Sequence, residues 1–76
     1  MITAYIFVQF GPGEPAETLS AIRETAGVKQ AHALMGPTDI VAVIEVADLE
    51  ALGDTLMAMR AVDGVKSTDT RLAWPI

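Results

Sequence analysis

The tripeptide Gly-Val-Lys occurs twice, at residues 27–29 and 64–66, an offset of 37 residues in a chain of 76. The same offset places Leu19 on Leu56 and Ile22 on Met59, which are apolar positions of two separate helical patterns. Each glycine stands where a helix should end, and each valine opens a run typical of a strand. The chain is therefore predicted to be one strand-helix-strand unit written twice, the split βαβ arrangement.

Hydrophobic periodicity places six elements along the chain. Strands are predicted at Ile2–Phe10, Val28–Met35, Ile40–Val46 and Val65–Trp74, and the last two are the candidates for the centre of the sheet. One helix is predicted to begin at Pro15, and the other to follow Asp48 as its N-cap. The fold class is therefore α+β: a ferredoxin-like βαββαβ domain whose four-stranded antiparallel sheet carries two helices on one face.

Both helices are expected to pack on the sheet through apolar stripes. The first stripe comprises Leu19, Ile22 and Ala26, and the second comprises Leu49, Leu52, Leu56 and Met59. Gly27 is expected to end the first helix in the left-handed conformation, which glycine adopts without steric cost. Gly53 lies inside the second helix, where it costs about 1 kcal/mol relative to alanine, and this predicts a close contact at that point.

The first strand predicts that a second subunit covers the sheet. Tyr5 and Phe7 fall on the face opposite the helices, where a solvated sheet should be polar. A domain of this size buries only about 60% of the surface that its unfolded chain exposes. The chain has no cysteine, so disulfides cannot add stability. A second subunit that covers this face, with Tyr5 and Phe7 in the interface, is therefore expected, and scattered surface aromatics are the alternative.

The acidic balance of the chain argues against several partners. The formal net charge is −5, and the five basic residues form no run. Because affinity for nucleic acid comes mainly from neutralising phosphates, direct binding of DNA or RNA is not expected. No apolar stretch approaches the roughly 20 residues needed to span a bilayer, and the N-terminus lacks the basic segment of a signal peptide. The expected location is the cytoplasm, with no membrane partner.

No arrangement of catalytic or metal-ligating residues stands out. The chain has a single histidine, His32, and no His/Asp/Glu cluster at ligand spacing, so neither a metal nor another cofactor is expected. The predicted central strands offer only Trp74 as an aromatic, which argues against base stacking as in RNA-recognition modules. Glu45, inside an apolar strand, is interpreted as an edge or interface charge paired with Lys or Arg. The chain is not expected to be an enzyme.

Two segments taken together resemble a known family. The first runs from Leu34 through Gly36-Pro37-Thr38-Asp39 into Ile40–Ile44, and the second is Gly64-Val65-Lys66-Ser67-Thr68-Asp69-Thr70. Strand, Gly-x-x-Asp turn, strand, helix and Gly-Val-x-x-Thr-x-Thr follow in the same order in the effector-binding (RAM) domain of the Lrp/AsnC, or feast/famine, transcription regulators. The resemblance covers Met1 to Trp74. It implies a single effector-binding domain over residues 1–76, without the family's helix-turn-helix domain.

The resemblance also implies a ligand site. Members of the family form sheet-to-sheet dimers that assemble into rings, and small effectors, typically amino acids, bind in crevices between dimers. Thr38 stands where the family usually has tyrosine or a similar residue. Asp39 can accept a hydrogen bond from an ammonium group, and threonine hydroxyls can donate to a carboxylate. Carried over to this sequence, the ligand-binding candidates are Gly36, Thr38, Asp39, Thr68 and Thr70, with Arg71 as a weaker neighbour.

The leading hypothesis is a non-enzymatic, oligomeric module that binds an amino acid or a related small metabolite. Its expected partners are further copies of itself, its effector, and full-length Lrp/AsnC-type regulators joined through the shared dimer surface. Two alternatives stay open: a structural or interaction module without a ligand, and a small enzyme of the dimeric α/β-barrel type. In the first alternative Asp39 only caps a tight turn, and the threonines are ordinary strand residues.

Overall fold

A computed structural model describes all 76 residues and contains the six elements in the predicted order. They are β1 (Ile2–Phe10), α1 (Pro15–Arg23), β2 (Val28–Ala33), β3 (Ile40–Val46), α2 (Leu49–Arg60) and β4 (Val65–Leu72). The strands form one antiparallel sheet in the order β2-β3-β1-β4. Helix α1 packs on β2, and α2 packs on β3 and β4. The predicted α+β, ferredoxin-like fold is confirmed. Neither helix is long and apolar enough to cross a membrane.

Most of the predicted element boundaries hold. Pro15 is the first residue of α1, and the Asp48 side chain caps α2 by accepting a hydrogen bond from the N–H of Ala51 at 2.8 Å. Strand β2 ends at Ala33 rather than at residue 35, because the chain leaves the sheet for the loop that precedes β3. Strand β4 ends at Leu72 rather than at residue 74, and only the bond from the N–H of residue 73 to the carbonyl of residue 3 continues the ladder.

The core lies between the two helices and one face of the sheet. Its largest fully buried side chains are Ile6, Val8, Ile22, Ile40, Ile44 and Met59. Ile22 and Met59 occupy equivalent core positions in the two repeats, as their offset predicts. Each predicted apolar stripe includes one residue that does not pack against the sheet. Residue 26 lies beyond the end of α1, and Leu49, in the first turn of α2, is 65% exposed. The contact predicted at Gly53 is absent, since no atom lies within 4 Å of a Cβ built there.

The centre of the sheet consists of β1 and β3. Strand β3 is central as predicted, but β4 is an edge strand, contrary to the prediction. The repeat explains the difference, because β2 and β4 are the last strands of their units and lie on opposite edges. Since β1 carries Tyr5 and Phe7, aromatics do lie at the centre of the sheet. The expectation that this chain does not bind RNA therefore depends on its net charge of −5 and not on a lack of central aromatics.

Two buried threonines join the repeats to each other. The Thr18 hydroxyl on α1 donates to the backbone carbonyl of Asp63 at 2.8 Å, and the Thr55 hydroxyl on α2 donates to that of Ala26 at 2.9 Å. Each threonine therefore satisfies a carbonyl in the turn that ends the other repeat's helix. The two bonds are equivalent under the 37-residue offset.

Two glycines complete this contact. Gly64 and Gly27 have φ angles of 90° and 95°, a region that other residues adopt only with strain. A Cβ on Gly64 would run into the Thr18 hydroxyl, and a Cβ on Gly27 would lie 2.6 Å from Oγ1 of Thr55. We call these four residues the interlock. It holds the helix of each repeat against the terminal turn of the other.

The sheet face turned away from the helices is uncovered in the single chain. Its centre is Tyr5 and Phe7 on β1 with Val41 and Val43 on β3. We call this the open face, and its other members are Thr3, Gln9, Gln30, His32, Glu45, Ser67, Asp69 and Arg71. The placement of Tyr5 and Phe7 on this face is as predicted. Glu45 has no Lys or Arg partner within the chain, and its register neighbour on β1 is Thr3. Its pairing across an interface stays a prediction.

Candidate functional site

The loop between β2 and β3 contains Gly36, Thr38 and Asp39, three of the predicted ligand-binding residues. The Oδ2 atom of Asp39 accepts a hydrogen bond from the N–H of Phe10 at 2.8 Å, and the Asp39 N–H donates to the carbonyl of Val8 at 3.0 Å. Asp39 therefore ties the loop to the end of β1. Gly36 is exposed, and no atom lies within 4 Å of a Cβ built on it. The space beside Gly36 is open to a ligand or to another subunit.

Replacing Asp39 by alanine is expected to lower the free energy of unfolding by about 1–2 kcal/mol, because the N–H of Phe10 loses its acceptor. Asp39→Asn is expected to cost much less, since its side-chain oxygen can accept the same bond. Urea unfolding of both variants beside the unmutated protein measures the difference. Equal losses would show that the negative charge, and not the hydrogen bond, holds the loop.

Thr68 and Thr70 project from β4 to the same side of the sheet, as predicted. They pair in register with Val8 and Ile6, so they face the helices. The Thr68 hydroxyl oxygen accepts a hydrogen bond from Nε of Arg60, in the last turn of α2, at 3.1 Å. The threonine pair is therefore on the helix side, and its neighbours come from α2.

Arg71 lies on the opposite face of β4. Its guanidinium forms an ion pair with Asp69 at 3.0 Å and lies over the ring of Phe7, 5.1 Å from the ring centroid. Both side chains of the ion pair are more than half exposed, so the pair contributes at most about 1 kcal/mol. The structure thus places Arg71 on the open face, away from Thr68 and Thr70.

Asp39 and Thr68 lie at the same end of the sheet but do not meet. Val8 pairs with Ile40 on one side, next to Asp39, and with Thr68 on the other. Two strand spacings therefore separate β3 from β4 here, about 10 Å. The ammonium and carboxylate of an α-amino acid are attached to the same carbon. A molecule that contacted the backbones beside Asp39 and Thr68 would have to span more than the distance between these two groups.

The surface has four concavities, which form two pairs under the 37-residue offset. One pair, of about 330 and 450 Å³, lies at the two sides of the interlock. The other pair flanks the edge strands. The Arg60 cleft, of about 340 Å³, is lined by Arg60, Val65, Lys66, Ser67 and Thr68. The Arg23 cleft, of about 280 Å³, is lined by Arg23, Val28, Lys29, Gln30, Ala31 and His32. Thr68 is the one predicted ligand-binding residue that lines any of the four.

Arg60 is absent from the residues that the sequence predicts for the site, although a signal for it exists. The offset that relates the two Gly-Val-Lys tripeptides also relates Thr18 to Thr55 and Arg23 to Arg60. Identity at these polar positions points to a shared structural role that apolar periodicity does not report.

The chain contains no group of three or more His, Asp and Glu side chains that could hold a metal ion. The single histidine, His32, is exposed on β2 and lies 3.2 Å from the side-chain oxygen of Gln30. Every buried side-chain nitrogen or oxygen has a hydrogen-bond partner. Buried polar groups in this chain are therefore used for folding.

Comparisons with known proteins agree on one family. The model of the Lrp/AsnC ligand binding domain matches residues 3–74. No curated protein is significantly similar to the sequence. Among solved structures, TTHA0845 from Thermus thermophilus is 30% identical with a TM-score of 0.90, and the match covers 100% of this chain and 96% of that one.

Two longer regulators share the fold at lower identity. AsnC from E. coli is 19% identical with a TM-score of 0.87, and the match covers 99% of this chain and 53% of AsnC. A feast or famine regulatory protein from M. tuberculosis, solved in complex with L-methionine, is 19% identical with a TM-score of 0.83, and the match covers 100% of this chain and 52% of that protein.

Since the family model covers almost the entire chain, the protein belongs to the Lrp/AsnC ligand-binding domain family.

Proposed function

We propose that the protein is a non-enzymatic, oligomeric module that binds an amino acid or a related small metabolite in the cytoplasm. The observation that carries this proposal is the match of residues 3–74 to a ligand-binding domain family. Two structural neighbours, regulators from Neisseria meningitidis and M. tuberculosis, are complexes with L-methionine, which makes methionine the first amino acid to test. The chain acts on transcription through Lrp/AsnC-type regulators. It does not itself bind DNA, because a chain with a net charge of −5 repels the phosphates.

The open face supports assembly by sheet-to-sheet packing. Tyr5, Phe7, Val41 and Val43 form an apolar centre, and polar and charged side chains surround it. An apolar centre with a polar rim is the usual composition of a protein interface. The Arg71 side chain over Phe7 belongs to this interface in the proposed dimer. The same face is the surface through which the chain would join a full-length regulator.

The effector site is proposed to lie between subunits. Gly36, Thr38 and Asp39 on one side and Thr68 and Thr70 on the other are about two strand spacings apart in one chain. A second subunit that brings its own copy of one set close to the other would let a small zwitterion contact both sets. This geometry favours a crevice between dimers, and it favours rings of dimers over an isolated chain.

A thermal-shift screen against the twenty amino acids tests the proposal. A ligand that binds only the folded protein adds about 2.7 kcal/mol at a concentration of 100 times Kd, which raises the melting temperature by about 10 °C or more in a domain of this size. For the amino acid that binds, Asp39→Asn is expected to weaken binding about ten- to hundredfold, because it removes a charge-assisted hydrogen bond to the ammonium. If no amino acid raises the melting temperature while the protein remains oligomeric, the result would support the structural module instead.

A further inference from the structure

Four of the five basic side chains lie in the two edge clefts. Arg60 and Lys66 line one cleft, and Arg23 and Lys29 line the other. The ion pair of Arg71 with Asp69 is the one salt bridge in the chain, so none of these four has a carboxylate partner. No Asp or Glu lines either cleft, although the chain contains ten such residues. Positive charge is therefore concentrated, unpaired, at two equivalent places on an acidic protein.

Both arginines are held in place through Nε alone. Nε of Arg60 donates to the Thr68 hydroxyl at 3.1 Å, and Nε of Arg23 donates to the carbonyl of Ala31 at 2.9 Å. The two terminal amino groups of each guanidinium have no hydrogen-bond partner in the chain. A planar guanidinium with free terminal groups matches the two oxygens of a carboxylate or phosphate.

The two lysines occupy β-bulges on the edge strands. In the pairing of β1 with β4, Gln9 is opposite Ser67 and the next residue, Phe10, is opposite Val65. Lys66 is therefore the extra residue of the bulge. Lys29 is the extra residue of β2 in the same way. A bulge changes the direction of its side chain, and an edge strand has unpaired N–H groups on its outer side. The Arg60 cleft thus combines an ammonium group, a guanidinium group and backbone donors.

The two clefts differ at the residue that contacts the arginine. Thr68 in the Arg60 cleft corresponds to Ala31 in the Arg23 cleft. The Thr68 hydroxyl accepts from Arg60 and donates to no group in the chain, so its proton is free for a ligand oxygen. In the Arg23 cleft the arginine is bound to a carbonyl, which offers no donor. The Arg60 cleft therefore has a hydroxyl donor directly beside its arginine, where the Arg23 cleft has a carbonyl acceptor.

We propose that the Arg60 cleft binds a small oxyanion, either the carboxylate of an amino-acid effector or a free phosphate. The carboxylate form rests on the proposed function, and the phosphate form does not. If the effector carboxylate binds beside Arg60 and Thr68, its ammonium faces an acceptor such as Asp39 from another subunit. The Arg23 cleft has no hydroxyl beside its arginine and is the comparison for this assignment.

Titrations of the full-length ¹⁵N-labelled protein at constant ionic strength test this assignment. The probes are inorganic phosphate, L-methionine, and 3-(methylthio)propylamine, which is methionine without its carboxylate. We expect saturable shifts of the Lys66 and Thr68 amides with phosphate, methionine or both, and none with the amine. Arg60→Gln is expected to raise the Kd of the bound probe at least about tenfold, because it removes a charged donor. Arg23→Gln, the matched control with the same change in net charge, is expected to change Kd by less than about twofold.

The outcomes separate the two oxyanions and the two proposals. Methionine binding that Arg60→Gln weakens assigns the cleft to the effector carboxylate. Phosphate binding without methionine binding assigns it to phosphate and counts against methionine as the effector. Arg60→Lys, which keeps the charge without the planar fork, is expected to recover part of the affinity, and a melting curve for each variant confirms that it folds. The inference is overturned if no probe shifts these amides saturably, if both glutamine variants weaken binding equally, or if the amine binds as well as methionine.

Discussion

Gly64→Ala is expected to lower the free energy of unfolding by about 2–4 kcal/mol and the melting temperature by more than about 10 °C. Gly64 has a φ of 90°, where a Cβ introduces backbone strain. The added methyl group would also run into the Thr18 hydroxyl. Thr18 is buried and bonded to the carbonyl of Asp63 at 2.8 Å, so it cannot move aside without breaking that bond. Both effects act at the same point of the interlock.

Gly53→Ala is the matched control for this substitution. Gly53 lies inside α2 with an ordinary helical φ, and no atom lies within 4 Å of its added Cβ. Alanine there is expected to raise the free energy of unfolding by about 0.5–1 kcal/mol, because it lowers the entropy of the unfolded chain without a clash. If the interlock is as described, calorimetry gives a lower melting temperature for Gly64→Ala and a higher one for Gly53→Ala than for the unmutated protein. A Gly64→Ala protein as stable as the unmutated one would mean that Thr18 and its turn yield at little cost.

Val43→Glu is expected to convert the proposed dimer into a monomer at micromolar concentration. Val43 lies at the centre of the open face, opposite Tyr5 in the register of β3 with β1. In a two-fold dimer each substitution occurs twice, so two carboxylates would be buried without partners. One unpaired buried charge costs about 3–5 kcal/mol, which corresponds to a rise in the dimer Kd of a thousandfold or more for the pair. The exposed Glu45 two residues along β3 adds repulsion.

Val43→Thr serves as the control, because it keeps the branched shape and adds no charge. Light scattering and sedimentation measure the mass of each variant, and circular dichroism checks that the fold is retained. The Val43→Thr protein is expected to stay associated. A Val43→Glu protein with the mass of the unmutated oligomer would show that the open face is not the interface, and an unmutated protein that is monomeric at micromolar concentration would refute sheet-face assembly altogether.

Sequence patterns predicted the elements better than their arrangement. Pro15 could be interpreted because it marks a local backbone requirement, a first helical position. Gly27 has the predicted positive φ but does not end α1, which stops at Arg23 with Glu24 as its C-cap. The alternation along β1 correctly divided its residues between two faces. Alternation reports which face a residue occupies and not which strand lies beside it, so the edge position of β4 was not predictable in this way.

The candidate site shows the same limit. Thr68 and Thr70 were placed on one side of β4 from their spacing alone, because side chains alternate along a strand. The bond from Phe10 to Asp39 and that from Arg60 to Thr68 join residues from different elements. Neither partner carries a local signal for the other. The ligand role of Gly36, Thr38, Asp39, Thr68, Thr70 and Arg71 stays a prediction.

The repeat and the position of the chain ends have a consequence for circular permutation. β1 begins beside the end of β4, where Ala4 pairs with Leu72. Joining the ends and opening the loop at residues 34–39 would exchange the two halves. The permuted chain would again read βαββαβ, and its sheet would again have the order second, third, first, fourth strand. The path of the backbone alone therefore does not distinguish one edge of this sheet from the other. The difference between the two edges depends on single side chains, such as Thr68 in place of Ala31.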